Sequence, residues 1–249
     1  MNITSGLQKI IKVTAAATLL VLGSTAAQAS TMLDITTLPG YGVATSASFN
    51  FNAAGGWAGW SVPVGKVVLG AKIISSGDTF SDFAVFRPAA PLEAFPHYTF
   101  GANEYGWVMQ AKSGQANNGV QMELYYADLM PGYTISQSSQ FNYNGAGGFG
   151  GWSAPAGNVV TGGGYQFVNA YSSALQSTIG LENSVWPHYT FGAAEQGWVV
   201  QGAANNLPNP GKVYVVSINT VPEPSTIALI AMALLSMFGL GMMRRRAEA

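Results

Sequence analysis

Apolar residues gather in two continuous runs near the ends of the chain, 13–23 and 227–243, and between them break into short pieces cut by glycine and proline. The interior pieces include Val67-Val68-Leu69, Val159-Val160-Thr161, Trp107-Val108-Met109-Gln110, Trp198-Val199-Val200-Gln201 and Val213-Tyr214-Val215-Val216-Ser217-Ile218. They are rich in β-branched and aromatic residues, and none extends into a sustained helical period. Turn-forming clusters such as Ala53-Ala54-Gly55-Gly56 and Gly145-Ala146-Gly147-Gly148 separate them. This pattern predicts an all-β interior of short antiparallel strands, arranged as a sandwich or a barrel-like unit.

The interior pattern occurs twice. Phe49-Asn50-Phe51-Asn52 returns as Phe141-Asn142-Tyr143-Asn144, and Gly59-Trp60-Ser61-Val62-Pro63 as Gly151-Trp152-Ser153-Ala154-Pro155, both 92 residues on. Pro96-His97-Tyr98-Thr99-Phe100-Gly101 returns as Pro187-His188-Tyr189-Thr190-Phe191-Gly192 at a spacing of 91. Between 49–71 and 141–163, 14 of 23 positions are identical. We expect two tandem duplicated β-sandwich-like modules, 38–129 and 130–220, because a repeat of this length is one folding unit copied.

The terminal runs predict different elements. Lys9 and Lys12 precede the first, and Ala27-Gln28-Ala29 follows it with the small-x-small spacing that signal peptidase cleaves. Residues 1–29 therefore read as a signal peptide, an N-terminal signal helix removed after Ala29. The second run is 17 residues long, which as a helix spans roughly 25 Å, just enough for a hydrocarbon core of about 30 Å. A transmembrane helix is expected over 225–243, and Arg244, Arg245 and Arg246 would act as a cytoplasmic stop.

Immediately ahead of that helix stands Val221-Pro222-Glu223-Pro224. Proline lacks a donor N–H and biases its predecessor away from helix, so this segment stays extended and open to a protease. The order Pro222-Glu223-Pro224, apolar helix, arginine cluster resembles the PEP-CTERM sorting signal of Gram-negative bacteria over 221–246. The resemblance implies recognition by an exosortase, a membrane-embedded cysteine transpeptidase. It also implies an inner-membrane anchor that is transient, and a destination at the cell surface or in the extracellular matrix.

Charge narrows the partners. Between the signal and the tail lie five cationic and nine acidic side chains, a net charge of −4, so no basic surface is available for nucleic acid. Cysteine is absent from the chain, which removes disulfides, thiolate nucleophiles and zinc-thiolate sites.

Candidate chemistry is sparse. His97 and His188 each stand seven residues before a glutamate, Glu104 and Glu195, and such a pair could act as acid and base or hold part of a metal site. One histidine and one carboxylate per module fall short of the three ligands of a catalytic zinc, so we expect no metal, no cofactor and no catalytic residue. Trp57, Trp60, Phe149 and Trp152 lie in glycine-rich sequence expected to form loops, where exposed rings could stack on sugars. Trp107 and Trp198, flanked by valines, are expected in the core. The sequence favours a non-enzymatic structural or adhesive protein that associates with extracellular polysaccharide or with other chains. A carbohydrate-binding module with paired aromatic sites is the alternative, and a hydrolase built on the His and Glu pairs stands behind both.

Overall fold

Because β-branched and aromatic runs end at glycine or proline before a helix can propagate, they can satisfy their backbone groups only by pairing across the chain. In the computed structural model they do so in antiparallel ladders throughout. The structure describes residues 32–51, 56–74, 82–113, 118–143, 148–203 and 209–219. The signal peptide 1–29, the sorting segment 221–246 and its helix 225–243 lie outside the described residues. No helix among the described residues is long and apolar enough to cross a membrane.

The first half carries β1 (Gly42–Thr45), β2 (Phe49–Asn50), β3 (Trp57–Ser61), β4 (Lys66–Ile73), β5 (Phe83–Ala89), β6 (Ala94–Phe95), β7 (Tyr98–Thr99), β8 (Gly106–Ala111), β9 (Asn118–Val120) and β10 (Met122–Asp128). The second half carries β11 (Thr134–Gln137), β12 (Phe141–Tyr143), β13 (Phe149–Ser153), β14 (Asn158–Phe167), β15 (Ala174–Gly180), β16 (Val185–Trp186), β17 (Tyr189–Thr190), β18 (Gly197–Gly202) and β19 (Asn209–Asn219).

Strand order is the same in the two halves. β1-β10-β4 in the first corresponds to β11-β19-β14 in the second, and β3-β8-β5 to β13-β18-β15. The sheets are not confined to their halves, however: β14 bonds β19 along one edge and β5 along the other, so one seven-stranded sheet runs β11-β19-β14-β5-β8-β3, with β12 also on β19. The seam register is Tyr165 opposite Phe86 and Gln166 opposite Val85.

Glycine makes the seam possible. A Cβ on Gly164 would lie 2.1 Å from the Phe86 carbonyl oxygen and 2.8 Å from the Arg87 Cα, a backbone approach that no side chain permits. At the matching positions of β4 the sequence has Ala71 and Lys72 in place of Gly163 and Gly164. Among the described residues no second seam forms between β4, which carries Lys72 at the position of Gly164, and β15. The halves also touch at matched positions 92 residues apart, where the Thr161 Oγ1 donates to the Leu69 carbonyl at 3.0 Å.

One hydrophobic core spans the boundary at 129/130. It joins Val68, Phe86, Trp107 and Leu124 from the first half with Tyr165 and Val213 from the second. A smaller cluster of Val85, Ala89, Phe100 and Val108 fills the opposite face of the β3-β8-β5 ladder. Trp107 is fully buried as expected, and Trp198 is half-buried against the main core.

Candidate functional site

Strand alternation decides what the four candidate aromatics can do, since neighbouring residues face opposite sides of a sheet. Trp57 and Trp60 belong to β3, Phe149 and Trp152 to β13, and all four are half-buried strand residues, not loop residues. Trp60 lies opposite Trp107, and Trp152 opposite Trp198, with both Trp60 and Trp152 packed on the main core. Trp57 and Phe149 face the other way. The four rings therefore form no common platform.

On the outer face each half builds a matched aromatic group. The Trp57 ring lies 5.5 Å from Phe95 at 33°, and the Phe149 ring 5.9 Å from Trp186 at 39°. Beside each pair a tyrosine ring covers a glycine of the strand: a Cβ on Gly59 would meet Tyr98 at 2.8 Å, and one on Gly151 would meet Tyr189 at 2.6 Å. The hydroxyls anchor in the same way, Tyr98 to the Ser61 Oγ at 3.2 Å and Tyr189 to the Ser153 Oγ at 3.0 Å. Phe100 and Phe191 complete the groups at 4.7 and 4.8 Å from those tyrosines. Offset and edge-on contacts of this kind are the favoured aromatic geometries.

His97 and His188 occupy the turns that join β6 to β7 and β16 to β17, each preceded by proline. Their backbones are left-handed, with φ of 70° and 67°, where a histidine stores strain of about 1–3 kcal/mol. Both side chains are exposed. The glutamates are engaged elsewhere: the Gly101 N–H donates to the Glu104 Oε2 at 2.8 Å and the Gly192 N–H to the Glu195 Oε2 at 2.8 Å, closing local turns. Histidine and glutamate are not brought together as an acid–base pair by these contacts. No group of three or more His, Cys, Asp or Glu that could hold a metal occurs among the described residues.

Sequence reasoning missed Arg87. Its side chain, 8% exposed, crosses the seam from β5. The Nε donates to the Gln166 Oε1 at 2.8 Å, and Nη1 donates to the Glu93 Oε2 and the Pro88 carbonyl, each at 2.8 Å. The guanidinium also lies over Phe95 at 4.9 Å and over Tyr214 at 4.5 Å. Burial pushes the Tyr214 hydroxyl above the usual tyrosine range, against the pull of the Arg87 charge. Position 87 was marked in the sequence only by holding the sole arginine between the signal and the tail. In the second half Thr178 takes its place and Ser184 that of Glu93.

The last described strand, β19, ends at Asn219. The PEP-CTERM protein-sorting motif matches residues 220–246. The chain is thus a PEP-CTERM domain-containing protein, with an exosortase as its processing partner. The motif implies export, transient membrane anchoring and a surface or extracellular location. No curated protein and no solved structure matches the chain.

Proposed function

We propose that this chain is a non-enzymatic structural or adhesive protein of the cell surface or extracellular matrix. In this reading, signal peptidase releases it after Ala29, the helix 225–243 and Arg244-Arg245-Arg246 hold it in the inner membrane, and the exosortase cuts near Pro222-Glu223-Pro224. The observation that carries the reading is the junction itself, a sorting motif starting at residue 220 directly after the strand that ends at Asn219. The matched strand orders and the 92-residue spacing support an origin by duplication of one module, with copies at 38–129 and 130–220. Low charge and a strand-dominated surface suit association with polysaccharide or with other chains.

The test combines processing with retention. Mass spectrometry of surface protein should find a chain that starts at Ser30 and ends near Pro224, and cells lacking the protein should hold less matrix polysaccharide. An intact Arg246 on surface-exposed protein would overturn the sorting claim, and unchanged matrix and adhesion would overturn the role. A second reading, a carbohydrate-binding module, draws on the matched outer pairs of Trp57 with Phe95 and Phe149 with Trp186. Glycan arrays decide it: binding should be lost in Trp57→Ala plus Phe149→Ala, and flat arrays for the parent protein refute it.

A further inference from the structure

The two halves treat the same sheet edge differently. In the first, β14 pairs with β5, and every residue of β5 is buried. In the second, β15 bonds β18 along one edge, and among the described residues no strand pairs with its other edge. Its interior positions are accordingly part-exposed. Leu175 is 53% exposed where its counterpart Ala84 is fully buried. Val168 and Tyr171, just ahead of the strand, are 65% and 57% exposed. An open edge beside exposed apolar side chains is a surface made for a partner.

The composition of β15 says which partner. The strand reads Ala-Leu-Gln-Ser-Thr-Ile-Gly over its 7 residues, with no lysine, arginine, carboxylate or proline to guard the edge. Facing its own copy antiparallel, it opposes no like charges, and Gln176 and Thr178 meet polar partners. A strand with an arginine at the matched position, as β5 has in Arg87, would oppose itself. The β4 strand of another copy is the poorer occupant, because Lys72 stands where Gly164 lets β14 approach β5.

We propose that β15 is the edge through which two copies of this chain associate, each β15 pairing antiparallel with the other across a two-fold axis. Such an interface is isologous and closes at a dimer. It continues the β13-β18-β15 sheet into its symmetry mate, as β14 continues the sheet of β5 within one chain.

The chain has no cysteine, so a single introduced thiol reports only on this contact. In the exported, processed protein, Gln176→Cys or Thr178→Cys should give disulfide-linked dimers under mild oxidation, whichever residue sits next to the axis. Thr99→Cys, exposed on β7 of the other half, should not. Light scattering should give twice the chain mass for the parent and one chain mass for Thr178→Lys, with circular dichroism showing the same strand content in both. A monomeric parent at its highest soluble concentration overturns the proposal. So does a dimer that survives Thr178→Lys and cross-links at neither position. If the lysine variant fails to fold, the two cysteine variants still decide.

Discussion

Replacing Arg87 with methionine should destabilise the protein by about 3 kcal/mol. The guanidinium is 8% exposed and donates three hydrogen bonds at 2.8 Å, to Gln166, Glu93 and Pro88. Charge-assisted bonds contribute about 1.5–3 kcal/mol when buried, and a desolvated cation over aromatic rings adds about 1–2 kcal/mol. Methionine fills most of the volume, and Glu93, 37% exposed, is left partly solvated, so the penalty stays well short of the full sum. For a domain near 190 residues this lowers the thermal midpoint by about 6–12 °C. Urea unfolding followed by tryptophan fluorescence measures it, with Lys72→Met as comparator. The Lys72–Glu123 pair at 2.6 Å is a surface contact with Lys72 54% exposed, and its loss should leave the midpoint in place. The reasoning requires that Arg87→Met and Gln166→Met be coupled by about 1 kcal/mol in a double-mutant cycle, since they meet across the seam. An Arg87→Met midpoint equal to that of Lys72→Met refutes it.

Gly164→Ala should be worse than its one methyl implies, costing more than about 3 kcal/mol, because the clash at 2.1 Å is with backbone and cannot rotate away; denaturant midpoints check this against Gly70→Ala, where a Cβ would meet nothing nearer than 3.6 Å. His97→Gly and His188→Gly should each stabilise by up to about 1 kcal/mol, as relief of the left-handed φ exceeds the entropy cost of glycine; a loss of stability in calorimetry would show that the imidazoles hold the turns. Burial raises the hydroxyls of Tyr133, Tyr143 and Tyr165 far above the usual tyrosine value, and Tyr214 less so. The folded state keeps protons that unfolded tyrosines release above about pH 10, so stability should be flat to about pH 9 and then fall by up to about 1.4 kcal/mol per pH unit for each buried tyrosine. Tyr143→Phe should flatten that fall and stabilise at neutral pH by about 1 kcal/mol, because its hydroxyl is buried with no hydrogen-bond partner among the described residues.

Strand content was legible because period and punctuation are local properties. Val213-Tyr214-Val215-Val216 could be little else than a strand, and it lies in β19. The aromatics of β3 and β13 were harder to place because Gly59 and Gly151 read as loop glycines. Their real function is to receive the rings of Tyr98 and Tyr189, and that contact is made by residues more than 35 positions away. The seam was hidden for a related reason. Gly164 against Lys72 is plain in the aligned copies, yet only the register of β14 on β5 shows that this glycine lies against the β5 backbone. Arg87 was visible as a lone cation, whereas its partners Gln166 and Tyr214 come from strands whose proximity is set by that same seam.

A chain tethered through its tail feels tension first in β19. That strand is 11 residues long, and it is bonded along one edge by β14 and along the other by β11 and β12. Antiparallel bonds stand perpendicular to the strand, so a pull along its axis strains both ladders together and cannot unzip them one pair at a time. Force entering at Asn219 is thus spread through β14 and across the seam into the first half, which makes resistance to shear a property of the whole molecule.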